Sequence, residues 1–222
     1  MSAINRIING DCREVLSTLA PRSADLVVTD PPYLVNYKDR LGRSIANDRA
    51  SDDDVLECFS DLYRVLKPDS FCISFYGWNR IDAFHSAWTR AGFSLAGHIV
   101  WHKRYASNAR YLEYRHEQAY LLVKGKPRTP AAPLSDVQPW EYSGNRLHPT
   151  EKAVGILRPL VETFSRPSAI VLDPFAGSGS TLVAAALAGR NYIGIELERR
   201  YCQIADKRLA GAARYLKRKA RH

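Results

Sequence analysis

Two short apolar runs set the strongest limit on the fold. Leu26-Val27-Val28 and Ile170-Val171-Leu172 show no polar alternation. A strand with one face in water alternates polar and apolar residues. A strand without alternation is buried on both faces, as in a parallel sheet covered by helices. Each run ends in an acidic residue and a turn. The same signals recur along the chain. Strands are predicted at 7–9, 25–29, 71–76, 99–101, 119–123, 169–172 and 192–195, and helices at 12–19, 52–66, 81–91, 154–164, 181–188 and 199–218. Strands alternating with helices of this length predict an α/β fold: a doubly wound, mostly parallel, seven-stranded sheet with helices on both faces.

In such a sheet, ligands bind outside the carboxyl ends of the strands. After Ile170-Val171-Leu172 comes Asp173-Pro174-Phe175-Ala176-Gly177-Ser178-Gly179-Ser180, then an Ala-rich helix. Two glycines let the backbone turn sharply and let a ligand approach closely. Glu196 ends the next strand, where a carboxylate can accept hydrogen bonds from ribose hydroxyls. The dinucleotide pattern GxGxxG is incomplete, because Leu182 takes the third glycine position. That disfavours a nicotinamide oxidoreductase and suits an adenosyl ligand without pyrophosphate.

The other apolar run ends in Asp30-Pro31-Pro32-Tyr33. An exocyclic amine on a base is a poor nucleophile, because its lone pair is delocalised into the ring. The Asp30 carboxylate and the Pro31 carbonyl can both accept hydrogen bonds from that NH2 group, drawing the nitrogen toward tetrahedral geometry. Two prolines fix the backbone, so the carbonyl is preorganised. Tyr33 offers a ring face on which a rotated base can stack.

The two motifs together resemble the S-adenosylmethionine-dependent amino-methyltransferases of DNA. Their order, catalytic motif before cofactor loop, resembles the permuted β class. The resemblance spans residues 7–209 and implies a Rossmann-like methyltransferase fold with permuted motifs. Ile8-Asn9-Gly10-Asp11 resembles the opening strand of that class, which implies Asp11 near the cofactor adenine. His148-Pro149-Thr150-Glu151-Lys152-Ala153 resembles its HPTQKP segment, which implies that Thr150 and Lys152 hold the methionine carboxylate. Trp101-His102-Lys103, His116-Glu117 and Tyr192-Ile193-Gly194-Ile195-Glu196 with Tyr201 also match. With Asp30, Asp173, Phe175, Ala176, Gly177, Ser178, Gly179 and Glu196, these form the expected cofactor set. Glu151 stands where Gln is usual and is expected to point outward. Asp at the head of the tetrapeptide implies adenine N6. Cytosine N4 is the alternative within the class, and a catalytically silent DNA-binding protein is the alternative outside it.

The formal charge of +9 favours a polyanion as partner. Between Gly125 and His148, where the family carries a target-recognition segment, only residues 126–147 are available. Segments below about 40 residues rarely fold alone. One methyltransferase domain over 1–222 is therefore expected, with 126–147 a vestige of that segment. DNA contacts would fall to the loop 34–51, with Lys38, Arg40, Arg43 and Arg49, and to 103–115, with Lys103, Arg104, Arg110 and Arg115 among Tyr105, Tyr111 and Tyr114. Lys207, Arg208, Arg214, Lys217, Arg218, Lys219 and Arg221 read as a solvated basic face on the last helix. A homodimer is implied by the resemblance alone.

Cys12, Cys58, Cys72 and Cys202 form no CxxC pair, which excludes a zinc-finger pattern and fits a reducing cytosol. His98 and His102 are read on a strand, so no metal site is expected. No signal peptide and no apolar run of about 18 residues is read, and a cytoplasmic, nucleoid-associated protein is expected.

Overall fold

The computed structural model describes residues 4–37, 42, 44–49, 51, 53–107, 109, 111–144 and 147–220. Eight strands form one sheet: β1 (Arg6–Asn9), β2 (Ala24–Thr29), β3 (Leu66–Phe75), β4 (Ser94–His102), β5 (His116–Lys124), β6 (Val137–Pro139), β7 (Ile170–Asp173) and β8 (Asn191–Glu196). Among the described residues six α-helices accompany them, besides two short 3-10 helices: α1 (Cys12–Thr18), α2 (Cys58–Val65), α3 (Ile81–Ala91), α4 (Val154–Phe164), α5 (Ser180–Leu187) and α6 (Arg199–Lys219). The sheet order is β1-β8-β7-β2-β3-β5-β4-β6. Only β5 runs against the rest, antiparallel to both β3 and β4.

The sequence predicts seven strands; the structure has an eighth. β6 extends the sheet beyond β4, pairing Val100 with Val137 and His102 with Pro139. A proline lacks the N–H for a central ladder, and this strand is at the edge, where that loss is tolerated.

The unalternating strands are buried on both faces, as their composition requires. From β2, Val27 joins a cluster with Leu16, Phe59, Leu62, Phe84 and Trp88 of α1, α2 and α3. Its neighbours Leu26 and Val28 join the opposite cluster, with Ile156, Leu157, Leu160, Ala184 and Ala185 of α4 and α5. Burying a side chain of this size contributes roughly 1.5–3 kcal/mol, so the two faces together fix the register of β2. α6 closes the second face through Leu209 and Ala212, packed against Leu182 and Val183 of α5.

β2 and β7 are adjacent and parallel. From β2 the chain passes through α2 to β3 on one side; from β7 it passes through α5 to β8 on the other. This is the switch point at which an open parallel sheet forms its crevice. The loops after β2 and β7 flank it.

Candidate active site

β2 delivers Asp30 to the crevice. Both oxygens of its carboxylate are occupied: Tyr33 Oη donates to Oδ1 at 2.8 Å and Lys152 Nζ to Oδ2 at 2.6 Å. The Lys152 ammonium also sits over the rings of Phe75 and Tyr33, at 4.9 and 5.5 Å from their centroids. Burial raises the Asp30 pKa, and Lys152 works against that rise without cancelling it. Burial opposes the charge on Lys152, but the carboxylates of Asp30 and Glu117 outweigh it and hold its pKa above the usual value. The resemblance implies Lys152 against a methionine carboxylate; here its ammonium is paired with Asp30. Tyr33 lines the cleft with its hydroxyl tied to Asp30.

The backbone after the tetrapeptide is strained. Leu34 and Asn36 have φ of 61° and 55°. A leucine in the left-handed region is an outlier that persists only where its surroundings impose it. Asp48 imposes it, accepting the N–H groups of Leu34 at 2.7 Å and Tyr37 at 2.6 Å. Asp48 is buried and lines the cleft. Sequence reasoning passed over it as one polar residue in a long loop.

The loop after β7 completes the opposite wall. Gly177 N donates to Glu196 Oε2 at 2.9 Å, which ties the glycine turn to the end of β8. Gly179 has φ of 82°, and a Cβ there would lie 2.7 Å from that of Ala205. Burial raises the Glu196 pKa, against the pull of the Glu198 and Gly177 N–H groups. Asp173 is buried, accepts from Phe175 N at 3.0 Å, and is pushed up to about 7 by its burial.

That value carries a prediction. The unfolded carboxyl titrates near 3.9. A raised folded pKa means that the folded chain holds the proton more tightly, so stability falls as pH rises from about 4 to 7. Asp173→Asn removes this dependence. Without cofactor, its gain in Tm over the parent is expected to be at least about 3 °C larger at pH 7.5 than at pH 4.5. Thermal unfolding at both pH values checks this, and an equal gain at the two would rule it out.

Asp11, Asp30, Pro31, Pro32, Tyr33, Thr150, Phe175, Gly177 and Glu196 line one cleft, which opens to solvent. A second cavity adjoins it, lined by Lys152, Asp173, Ala176 and Ser178, with Asp30, Thr150, Phe175 and Gly177 among the residues shared. Gly179 lines neither. The Asp11 carboxylate caps α1 and is held by Arg13 on both oxygens.

Residues 24–207 match the model of the family described as DNA methylase, which covers N6 and N4 enzymes. The chain belongs to the N6/N4 DNA methylase family. Over 217 residues this methylase is 53% identical to YubD of Escherichia coli (strain K12), covering 98% of this chain and 95% of that one. It is 26% identical over 258 residues to the type II methyltransferase M.HinfI of Haemophilus influenzae, covering 93% and 68%. The solved structure of TTHA0409 from Thermus thermophilus, complexed with S-adenosyl-L-methionine, is 27% identical with a TM-score of 0.74 and covers 94% of each chain. S-adenosylmethionine is the cofactor of this methylase.

The residues present fit that group. Phe175 offers an apolar face beside the Glu196 acceptor. The second cavity reaches Thr29, whose buried hydroxyl makes no hydrogen bond of its own.

Two expectations need correction. Glu151 does not point outward. Its side chain is only 7% exposed and pairs with Arg208 Nη1 at 3.3 Å. Arg208 in turn donates to Ser178 O at 2.8 Å and to the hydroxyls of Ser178 and Ser180 at 2.9 and 3.0 Å. Arg208 is thus withdrawn from the basic face of α6 and clamps the glycine loop to the segment carrying Thr150 and Lys152. Removing one partner of such a pair strands a buried charge, which is why neither is a surface feature.

Lys103 was expected at a phosphate. It is 5% exposed, ion-paired with Glu117 and bonded to Ser107. A buried, neutralised ammonium cannot reach DNA. Arg104 and Arg115 are exposed, Arg115 beside Glu113. Lys38, Arg40, Arg43 and Arg110 lie outside the described residues. Among the described residues no group of three metal ligands occurs, and no helix is long and apolar enough to cross a membrane.

Proposed function

We propose that this methylase is a β-class enzyme of permuted motif order that methylates N6 of adenine in DNA. The observation that carries the reading is the shared crevice. Asp30 and Pro31, held at the end of β2, face the same cleft as Phe175, Gly177 and Glu196 at the ends of β7 and β8. A base amine lodged against the first pair lies beside the cofactor wall. The choice of adenine rests on Asp at the head of the tetrapeptide, through the family resemblance.

In this reading the target nucleotide rotates out of the duplex into the cleft, which costs a few kcal/mol of unstacking. Asp30 and the Pro31 carbonyl accept the two amine hydrogens and localise the nitrogen lone pair. Lys152 and Tyr33 hold the Asp30 carboxylate in place, so its free lone pairs are aimed without rearrangement. Glu196, with Asp11, serves the adenosine part of the cofactor, and Thr150 the methionine part; Asp173 and Phe175 shape the wall between. When bound, S-adenosylmethionine supplies an electrophilic methyl on a positively charged sulfur. As the N–CH3 bond formed, the S–CH3 bond would break and S-adenosylhomocysteine would leave; the Asp30 side would accept or pass on the proton of the cationic amine, which restores a neutral base. Residues 126–147 are too few for a separate recognition domain, so target reading falls to Arg104, Arg115 and their neighbours.

The test is methyl transfer to unmethylated genomic DNA, digested to nucleosides and read by mass spectrometry. N6-methyladenine is expected. N4-methylcytosine would keep the mechanism and overturn the base assignment. No modified nucleoside, with cofactor bound, would overturn the proposal.

A further inference from the structure

Between β4 and β5 the chain builds a finger. Lys103 N donates to Arg115 O at 2.7 Å and Ser107 N to Tyr114 O at 2.8 Å, and Ala109 bridges Glu113 in antiparallel register. The two arms therefore stay together to the tip. Next to Glu113, the neighbouring Tyr111 and Leu112 are 86% and 70% exposed.

The root of the finger is fixed. Lys103 is pinned by Glu117 and lies over the Trp140 ring. Tyr114 stacks on Trp78, with centroids 5.5 Å apart and planes 17° apart. Tyr105 meets Tyr142 edge-on. Trp78 follows Gly77, and a Cβ on Gly77 would come within 2.9 Å of the Tyr33 Cβ. Tyr33, Gly77, Trp78 and Tyr114 thus form a continuous path from the DPPY motif to the finger. Topology enforces the placement. Because β5 alone is reversed, the β4–β5 connection leaves the sheet at the edge where β2 and β7 end. From Tyr114 to the tip is three residues, a reach of about 10 Å.

Neighbouring apolar side chains on a braced arm, beside a cleft and flanked by the exposed Arg104 and Arg115, match one partner. Duplex DNA offers phosphates for the arginines and an apolar stack between them.

We infer that Tyr111 and Leu112 are a wedge that enters the base stack of duplex DNA and fills the gap left when the target nucleotide rotates out. This rests on the function proposed above. The wedge recovers stacking that extrusion breaks, so it matters where the target is paired and not where pairing is already lost.

The experiment uses an oligonucleotide duplex carrying the site mapped in the methylated product, and the same duplex with an abasic position opposite the target. Both tip residues are exposed, so Tyr111→Ser with Leu112→Ser spares the fold. The double variant is expected to lose at least tenfold in kcat/KM on the paired duplex and less than threefold on the abasic one. An equal loss on both would show a general binding contact and overturn the wedge. No loss on either would do the same and would fit a protein-binding tip. A parent protein that methylates no DNA would overturn the proposed function, and the wedge with it.

Discussion

Asp30→Ala is expected to lower methyl transfer about a thousandfold, while S-adenosylhomocysteine still raises the melting temperature of the variant. In the proposed reading the two effects separate because Asp30 serves the base amine, whereas the residues assigned to the cofactor come mainly from the ends of β7 and β8 and the segment before α4. Asp30→Asn sharpens the result. It keeps the shape of the side chain, but its amide nitrogen replaces one acceptor with a donor, so one of the two oxygens that Tyr33 and Lys152 now occupy is lost. A comparable loss in both variants points to the carboxylate and not to the space it fills. Turnover within tenfold of the parent in either variant would remove Asp30 from the reaction.

Lys152→Met is expected to be the most damaging single change to stability. It leaves the half-buried Asp30 carboxylate without its cation, a defect of about 3 kcal/mol. The carboxyl pKa, already raised by burial, would climb further, so the variant should recover stability as pH falls and Asp30 takes up a proton. Asp30→Asn added to Lys152→Met removes the stranded charge. The double variant should therefore melt above Lys152→Met alone at pH 7.5. Denaturant titration of the four proteins gives the coupling energy directly. A double variant that is additively worse would mean that the two side chains do not depend on each other.

Much of the fold follows from local pattern. α3 and α4 have the bounds that their apolar period predicts, 81–91 and 154–164, and α3 ends at Gly92 with φ of 103°. The outer strands were less legible. β4 begins at Ser94, not Ile99, and its added residues Ser94, Leu95, Ala96 and His98 are exposed, so no apolar run marks them. β6 has no local signal at all, because a three-residue strand ending in proline exists only through its partner on β4. The site divides in the same way. Asp30, Phe175, Gly177 and Glu196 stand in compact motifs and meet in space as their strand-end positions require. Asp48 and Arg208 do not. One is an acid in a polar loop and the other a base on a basic helix, and only the fold reveals that each faces inward to hold backbone groups of the site. Glu117 is intermediate: it falls in a matched segment, yet its partnership with Lys103 is a cross-strand fact.

The Arg208 clamp has a consequence for how the protein comes into being. During synthesis the DPPY motif and the glycine loop emerge well before α6, and β1 waits for β8 before it gains a neighbour. Until residue 208 clears the ribosome, Ser178, Ser180 and Glu151 lack the cation that joins them. The clamp on the glycine loop is therefore complete only once α6 has joined the fold. A nascent polypeptide whose α6 has not yet emerged carries the DPPY motif and the glycine loop but not the arginine that fastens that loop to the segment before α4.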